Sequence, residues 1–100
     1  MIDREAFYES VKKIPKGRVT TYGRLAKLSG IKNPRVVGHL LHLNPYAPIV
    51  PCHRVVNSQG KLAEKFGAEG GIKTQKERLT AEGVVIKNYR VDLKKFGWPS

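Results

Sequence analysis

Breaks in the first 45 residues constrain this chain more than any other feature. Pro15-Lys16-Gly17, Gly30, Asn33-Pro34 and Asn44-Pro45 interrupt it at intervals that leave room for three short helices and for nothing longer. Asp3 is placed to cap a helix running to about Lys13, in which Phe7, Val11 and Ile14 recur at helical spacing and Glu5 and Glu9 occupy the early turns. Val19 and Thr20 read as a short extended piece. Thr21 then caps a second helix from Tyr22 to Ser29, with Leu25 and Leu28 facing inward, and Gly30 ends it. Ile31 and Lys32 form a tight turn before Asn33, a good N-cap. Pro34 suits the first helical position because its missing N–H would be unpaired there anyway, and the third helix runs to about Leu43. Two short helices joined by a tight glycine-containing turn make a helix-turn-helix, a common DNA-reading unit.

The charge is concentrated on the same stretch. Of 19 Lys and Arg, ten lie between Ser10 and Ala63, where there is no Asp or Glu at all; the rest of the chain nearly cancels, and the net charge is +11. A one-signed field of this size suits a polyanion, because neutralised phosphates release counterions and supply sequence-independent affinity. No basic amphipathic helix of useful length, membrane-length apolar run or leader-like segment is seen, so no membrane role is expected. One hundred residues, 40% of them apolar, are expected to form one domain spanning residues 1–100, with a core drawn from Phe7, Val11, Ile14, Leu25, Leu28, Val36, Val37, Leu40 and Leu41. The single cysteine cannot close an intramolecular disulfide, which points to a cytoplasmic, nucleoid-associated setting, or a nuclear one in a eukaryote.

Beyond the third helix, Asn44-Pro45 and Pro48 mark an irregular loop, and Arg54-Val55-Val56 reads as a strand closed by Asn57, Ser58 and Gly60. Gly67, Gly70 and Gly71 mark a flexible loop. A helix covers roughly Lys73 to Glu82, ended by Gly83, and Val84 to Leu93 forms a hairpin turning at Lys87-Asn88. The fold class expected is mainly α with a small β component: a helix-turn-helix or winged-helix-like DNA-binding domain.

Chemistry centres on Pro51-Cys52-His53-Arg54-Val55-Val56. A lone cysteine is most often a small buried hydrophobe, but a nearby His or cation favours the thiolate and turns it into a nucleophile. His53 and Arg54 are such neighbours. On an extended segment Cys52 and His53 point to opposite faces, so contact between them needs a bridging water or a loop conformation. His53 in turn needs an orienting acceptor, for which Glu82 is a candidate. Metal binding by Cys52 with His39, His42 or His53 lacks any structural-zinc spacing, and no metal or cofactor is expected.

These residues resemble the DNA-binding, active-site domain of the O6-alkylguanine-DNA alkyltransferases and their alkyltransferase-like relatives. Pro51-Cys52-His53-Arg54-Val55 is similar to the family's active-site motif. Val19-Thr20-Thr21-Tyr22, Arg35-Val36-Val37-Gly38, Asn44-Pro45 and Glu82-Gly83 follow the same order. The resemblance implies that Cys52 accepts the alkyl group as a thioether, once and irreversibly, as a methylated-DNA–protein-cysteine S-methyltransferase. His53, acting through water and oriented by Glu82, takes the thiol proton; Tyr22 supplies a hydroxyl near the flipped base; Asn44 braces the turn by the thiol. Arg35 enters the base stack, and Gly38 lets the helix approach DNA in the minor groove, whose degenerate code suits damage in any sequence. Thr21, Pro34 and Arg54 join the DNA-contacting set.

Unlike the repair enzymes, the protein is expected to be this domain without their N-terminal one, and the stretch Leu62 to Gly71 does not reproduce their Tyr-Ser-Gly-Gly loop. That stretch and the tail from Val91-Asp92-Leu93 to Trp98-Pro99 look more like the alkyltransferase-like proteins, which usually carry tryptophan at the cysteine position. Those bind O6-alkylguanine without repairing it and flag it for nucleotide excision repair. Transfer to Cys52 is the function favoured, on double-stranded DNA containing O6-alkylguanine. A lesion sensor with nucleotide excision repair partners is the alternative. A winged-helix regulator with Cys52 as a redox switch or an inert residue is a third reading, but such proteins commonly dimerise, nothing here resembles a dimerisation helix, and a monomer is expected.

Overall fold

Local capping sets the first half of the molecule. In the computed structural model, which describes residues 3–46, 49–62 and 71–99, the Asp3 carboxylate accepts the N–H groups of Glu5 and Ala6 and opens α1, Arg4–Lys12. Thr21 accepts the Arg24 N–H at 3.1 Å and opens α2, Tyr22–Ser29, which stops at Gly30 with φ of 74°. Asn33 accepts the Arg35 N–H at 2.9 Å and opens α3, Pro34–His42, with proline in the first turn. These are the expected helices, with α1 and α3 each ending one residue early. Leu28 corrects the expected core: it is 48% exposed, because Leu25 and Ala26 form the buried stripe of α2. Val36 is only partly buried, at the margin of the core.

The second half is knitted by pairing between distant segments. β1, Thr20–Thr21, runs parallel to β2, Val55–Val56, with Thr20 opposite Val55 and Thr21 opposite Val56. Successive strand residues face opposite sides, and here the two sides are two different cores. Val55 joins Phe7, Val11, Ile14, Leu25, Val37 and the rest of the helix-turn-helix core. Val56 joins Val19, Leu62, Leu79, Val84 and Val91. The short parallel pair is thus the partition between them.

The helix expected from Lys73 is α4, Gly71–Ala81, followed by Gly83 with φ of 89°. β3, Ile86–Lys87, and β4, Arg90–Val91, form the hairpin. Its turn sits one residue later than expected: Asn88 and Tyr89 have φ of 52° and 59°, so both central residues are left-handed, as the twist of a two-residue hairpin demands. A short α5, Leu93–Phe96, leads to a tail in which Val19 donates to the Phe96 carbonyl and Trp98 to the Val19 carbonyl. The expected loop residues Gly67 and Gly70 lie outside the described residues. No helix among the described residues is long and apolar enough to cross a membrane.

Candidate active site and DNA-facing surface

Cys52 sits where three remote elements meet. Cys52–Arg54 is a single 3-10 turn rather than the extended segment expected, since Arg54 N–H bonds back to the Pro51 carbonyl at 3.0 Å and Val55 N–H to that of Cys52. Upstream, the Asn44 amide donates to the Val50 carbonyl at 2.9 Å while its oxygen accepts the Tyr46 N–H. The loop leaving α3 is therefore tied to the residue two before the thiol. Downstream, the β1–β2 pairing brings Tyr22, at the head of α2, to the same place.

The thiol is 5% exposed. Burial pushes its pKa above the usual 9.0, although the Asn44 side chain and the Arg78 charge oppose this, so Cys52 carries its proton at neutral pH. The cation that acts on the thiol is thus Arg78 of α4, not the sequence neighbour Arg54. Tyr22 is half-buried, and burial and then the adjacent Cys52 raise its pKa, keeping the phenol protonated.

Behind the turn stands a buried charged cluster. His53 is 2% exposed, with Nε2 3.0 Å from Glu82 Oε2. Arg54 grips the same carboxylate, Nε to Oε1 at 2.9 Å and an Nη to Oε2 at 2.6 Å, and donates its other Nη to the Ile14 carbonyl at 2.8 Å. Burial pushes the Glu82 pKa up, but the hydrogen bonds and charges of Arg54 and His53 outweigh it and hold the carboxyl at about 2. Burial lowers His53 against the opposing pull of Glu82, so its ring is neutral at physiological pH. An ionised carboxylate only accepts, so the His53 proton is on Nε2. Nδ1 is left with a lone pair and, among the described residues, no partner. A neutral imidazole nitrogen of this kind can accept a proton. Arg54, expected at the DNA, is bound into this cluster in the free protein, its side chain only 15% exposed.

The surface of the helix-turn-helix is its opposite in character. Pro34 and Arg35 are exposed at the N-terminus of α3, and Arg24, Lys27 and Lys32 are exposed on α2 and the turn between the helices. Thr21 is 7% exposed and its hydroxyl is engaged in capping. A Cβ on Gly38 would lie 3.9 Å from the Tyr22 ring, an ordinary contact, so internal packing does not demand glycine there.

Residues 3–84 match the family model for the 6-O-methylguanine DNA methyltransferase DNA-binding domain. The chain belongs to this family. The alkyltransferase-like protein 1 of Schizosaccharomyces pombe is 38% identical over 98 residues, covering 91% of this chain and 89% of that protein. A DNA base-flipping protein of Vibrio parahaemolyticus is 39% identical over 90 residues, covering 88% and 87%. The crystal structure of S. pombe Atl1 in complex with damaged DNA containing O6-carboxymethylguanine superposes with a TM-score of 0.83 at 36% identity, covering 97% of this chain and 94% of that one. The alkyltransferase-family domain spans much less of other relatives: 42% of the methylated-DNA–protein-cysteine methyltransferase of Methanothermobacter thermautotrophicus and 29% of the bifunctional methyltransferase/endonuclease of Picrophilus torridus.

Two residues of this domain escaped sequence reasoning. Gln75 is fully buried and donates to the carbonyls of His53 and Val55. Arg78 bears on both Cys52 and His53. With Glu82 they recur at helical spacing on one side of α4 and its end, and polar residues repeating in register on a helix that must bury one face were the available signal.

Proposed function

We propose that this protein binds duplex DNA carrying O6-alkylguanine through α3, receives the flipped base beside Cys52, and transfers the alkyl group to the cysteine sulfur. The observation that carries the reading is the buried pair His53–Glu82: the carboxylate holds one ring nitrogen and leaves Nδ1 of a neutral imidazole unpaired one residue from the thiol. The Cys52 proton passes through a bridging water to His53 Nδ1, and Glu82 stabilises the imidazolium that forms. The thiolate attacks the alkyl carbon, so the S–C bond forms as the C–O6 bond breaks. The electron pair left on the base is met by the proton of Tyr22, whose raised pKa keeps it available. A thioether offers no good leaving group, and each molecule acts once.

DNA is engaged by the exposed cations of α2 and α3, with Arg35 filling the space of the extruded nucleotide. Unstacking a base costs a few kcal/mol, which an inserted side chain and phosphate contacts offset. A second reading, a lesion sensor that recruits nucleotide excision repair proteins, is favoured by one observation: burial holds the thiol protonated above its usual range in the free protein. Intact mass before and after incubation with a duplex containing one O6-methylguanine separates the two. A gain of one methyl group, mapped to Cys52 and absent in Cys52→Ala, establishes transfer; unchanged mass with lesion-selective binding establishes the sensor.

A further inference from the structure

The active-site turn has no covalent or helical continuity with the element that activates it. Cys52–Arg54 follows a loop, and its base cluster is completed by Glu82 just beyond the end of α4. Something must hold α4 in register with the turn. Arg54 ties the turn to the far end of α4 through Glu82. Near the middle of α4 the connection is Gln75, whose Nε2 lies 3.1 Å from the His53 carbonyl oxygen and 2.9 Å from that of Val55. Two carbonyls can only accept, so the group facing them is the NH2, and its two protons match its two acceptors.

We infer that Gln75 is a positioning residue for the Cys52–His53 pair, fixing the backbone of the reactive turn by a two-pronged amide clamp. Its acceptors bracket Arg54, so the clamp sets the direction in which the His53 ring leaves the backbone. It also fixes where β2 begins, and β2 pairs with the strand that delivers Tyr22. The amide is fully buried; without it, both carbonyls must find other donors, and the turn can reach them only by moving. His53 is faced by Glu82 and Arg78 from α4 and by Arg54 from its own turn, so a shift of the turn changes all three distances at once.

The inference rests on the proposed transfer for its kinetic consequence but not for its structural one. Gln75→Met keeps the volume and removes the donors, whereas Gln75→Asn keeps an amide NH2 one methylene shorter. For Gln75→Met the rate of methyl transfer from an O6-methylguanine duplex falls about 10- to 100-fold, as a small misplacement of reacting groups does, while affinity for the same duplex is unchanged. In NMR titrations of the imidazole, the His53 midpoint moves from its depressed value back toward 6.5, and iodoacetamide alkylates Cys52 faster. Gln75→Asn is impaired less than Gln75→Met in all three. Wild-type behaviour of Gln75→Met in the imidazole titration and the iodoacetamide reaction, or impairment of Gln75→Asn equal to that of Gln75→Met, overturns the clamp. If the wild-type protein itself transfers no methyl group, the proposed function fails, and the titration and thiol reactivity still decide the role of Gln75.

Discussion

The N-terminal end of α3 and the turn at Cys52 are separated only by that helix and the loop that leaves it, yet they are built on opposite principles. The start of α3 is set by its neighbours in sequence, Asn33 capping and Pro34 opening the helix, and it leaves Arg35 in water. The Cys52 turn owes its shape to residues far along the chain: Asn44 on one side, Gln75 and Glu82 on the other, and β1 beside it. Its charges are withdrawn from solvent and compensated by one another. An exposed cation stays mobile and hydrated until a phosphate replaces water, so it costs the free protein nothing. A buried His–Glu–Arg cluster is stable only while every member is present. The proposed function draws on both, the exposed cations for the search along DNA and the buried cluster for the chemistry on one base.

Mutations should therefore act very differently in the two regions. Glu82→Ala leaves Arg54 and His53 facing an empty acceptor and is expected to cost about 3–5 kcal/mol in denaturant unfolding, as loss of one partner from a buried ion pair does; transfer should be lost with it. Acidification attacks the same cluster without mutation. The Glu82 pKa is 4.5 unperturbed and about 2 in the fold, so its stabilisation, about 3 kcal/mol, is complete above 4.5 and disappears as pH falls toward 2. His53 acts in the same direction and earlier. Its folded pKa lies below 6.5, so the unfolded chain takes up the proton first and stability begins to fall as pH drops through 6.5. Unfolding midpoints in urea from pH 8 to pH 3 should decline in these two stages, and in Glu82→Gln the steeper, more acidic one should vanish.

At α3, Asn33→Ala removes a cap and should lower stability by about 1 kcal/mol in the same assay. Arg35→Ala should change stability by less than about 0.5 kcal/mol, yet weaken binding to a lesion duplex in a fluorescence titration and reduce the salt slope of that binding by about 1. Equal destabilisation by Arg35→Ala and Glu82→Ala would break the contrast between the two regions.

What could be read directly from the residues follows the same division. Helix boundaries in the first half were legible because caps, proline and glycine act within a few residues of themselves, and Thr21, Gly30, Asn33 and Pro34 all behave accordingly. The failures there were of facing, not of existence: Leu28 has the right spacing, but the apolar stripe of α2 is narrow and Leu25 and Ala26 fill it. The hairpin was found and its turn misplaced by one residue, since Asn88-Tyr89 holds two left-handed residues without a glycine to announce them.

The amino-acid sequence alone determined the helix-turn-helix, the one-sided distribution of charge and the Cys52-His53 pair, because each rests on local propensity or on composition. Only the tertiary structure decided that Arg54 grips Glu82, that the Arg78 charge bears on the thiol, and that Gln75 clamps the turn. Those assignments depend on which distant segments share a buried space, where removal from water makes each polar group seek a partner that no local pattern specifies.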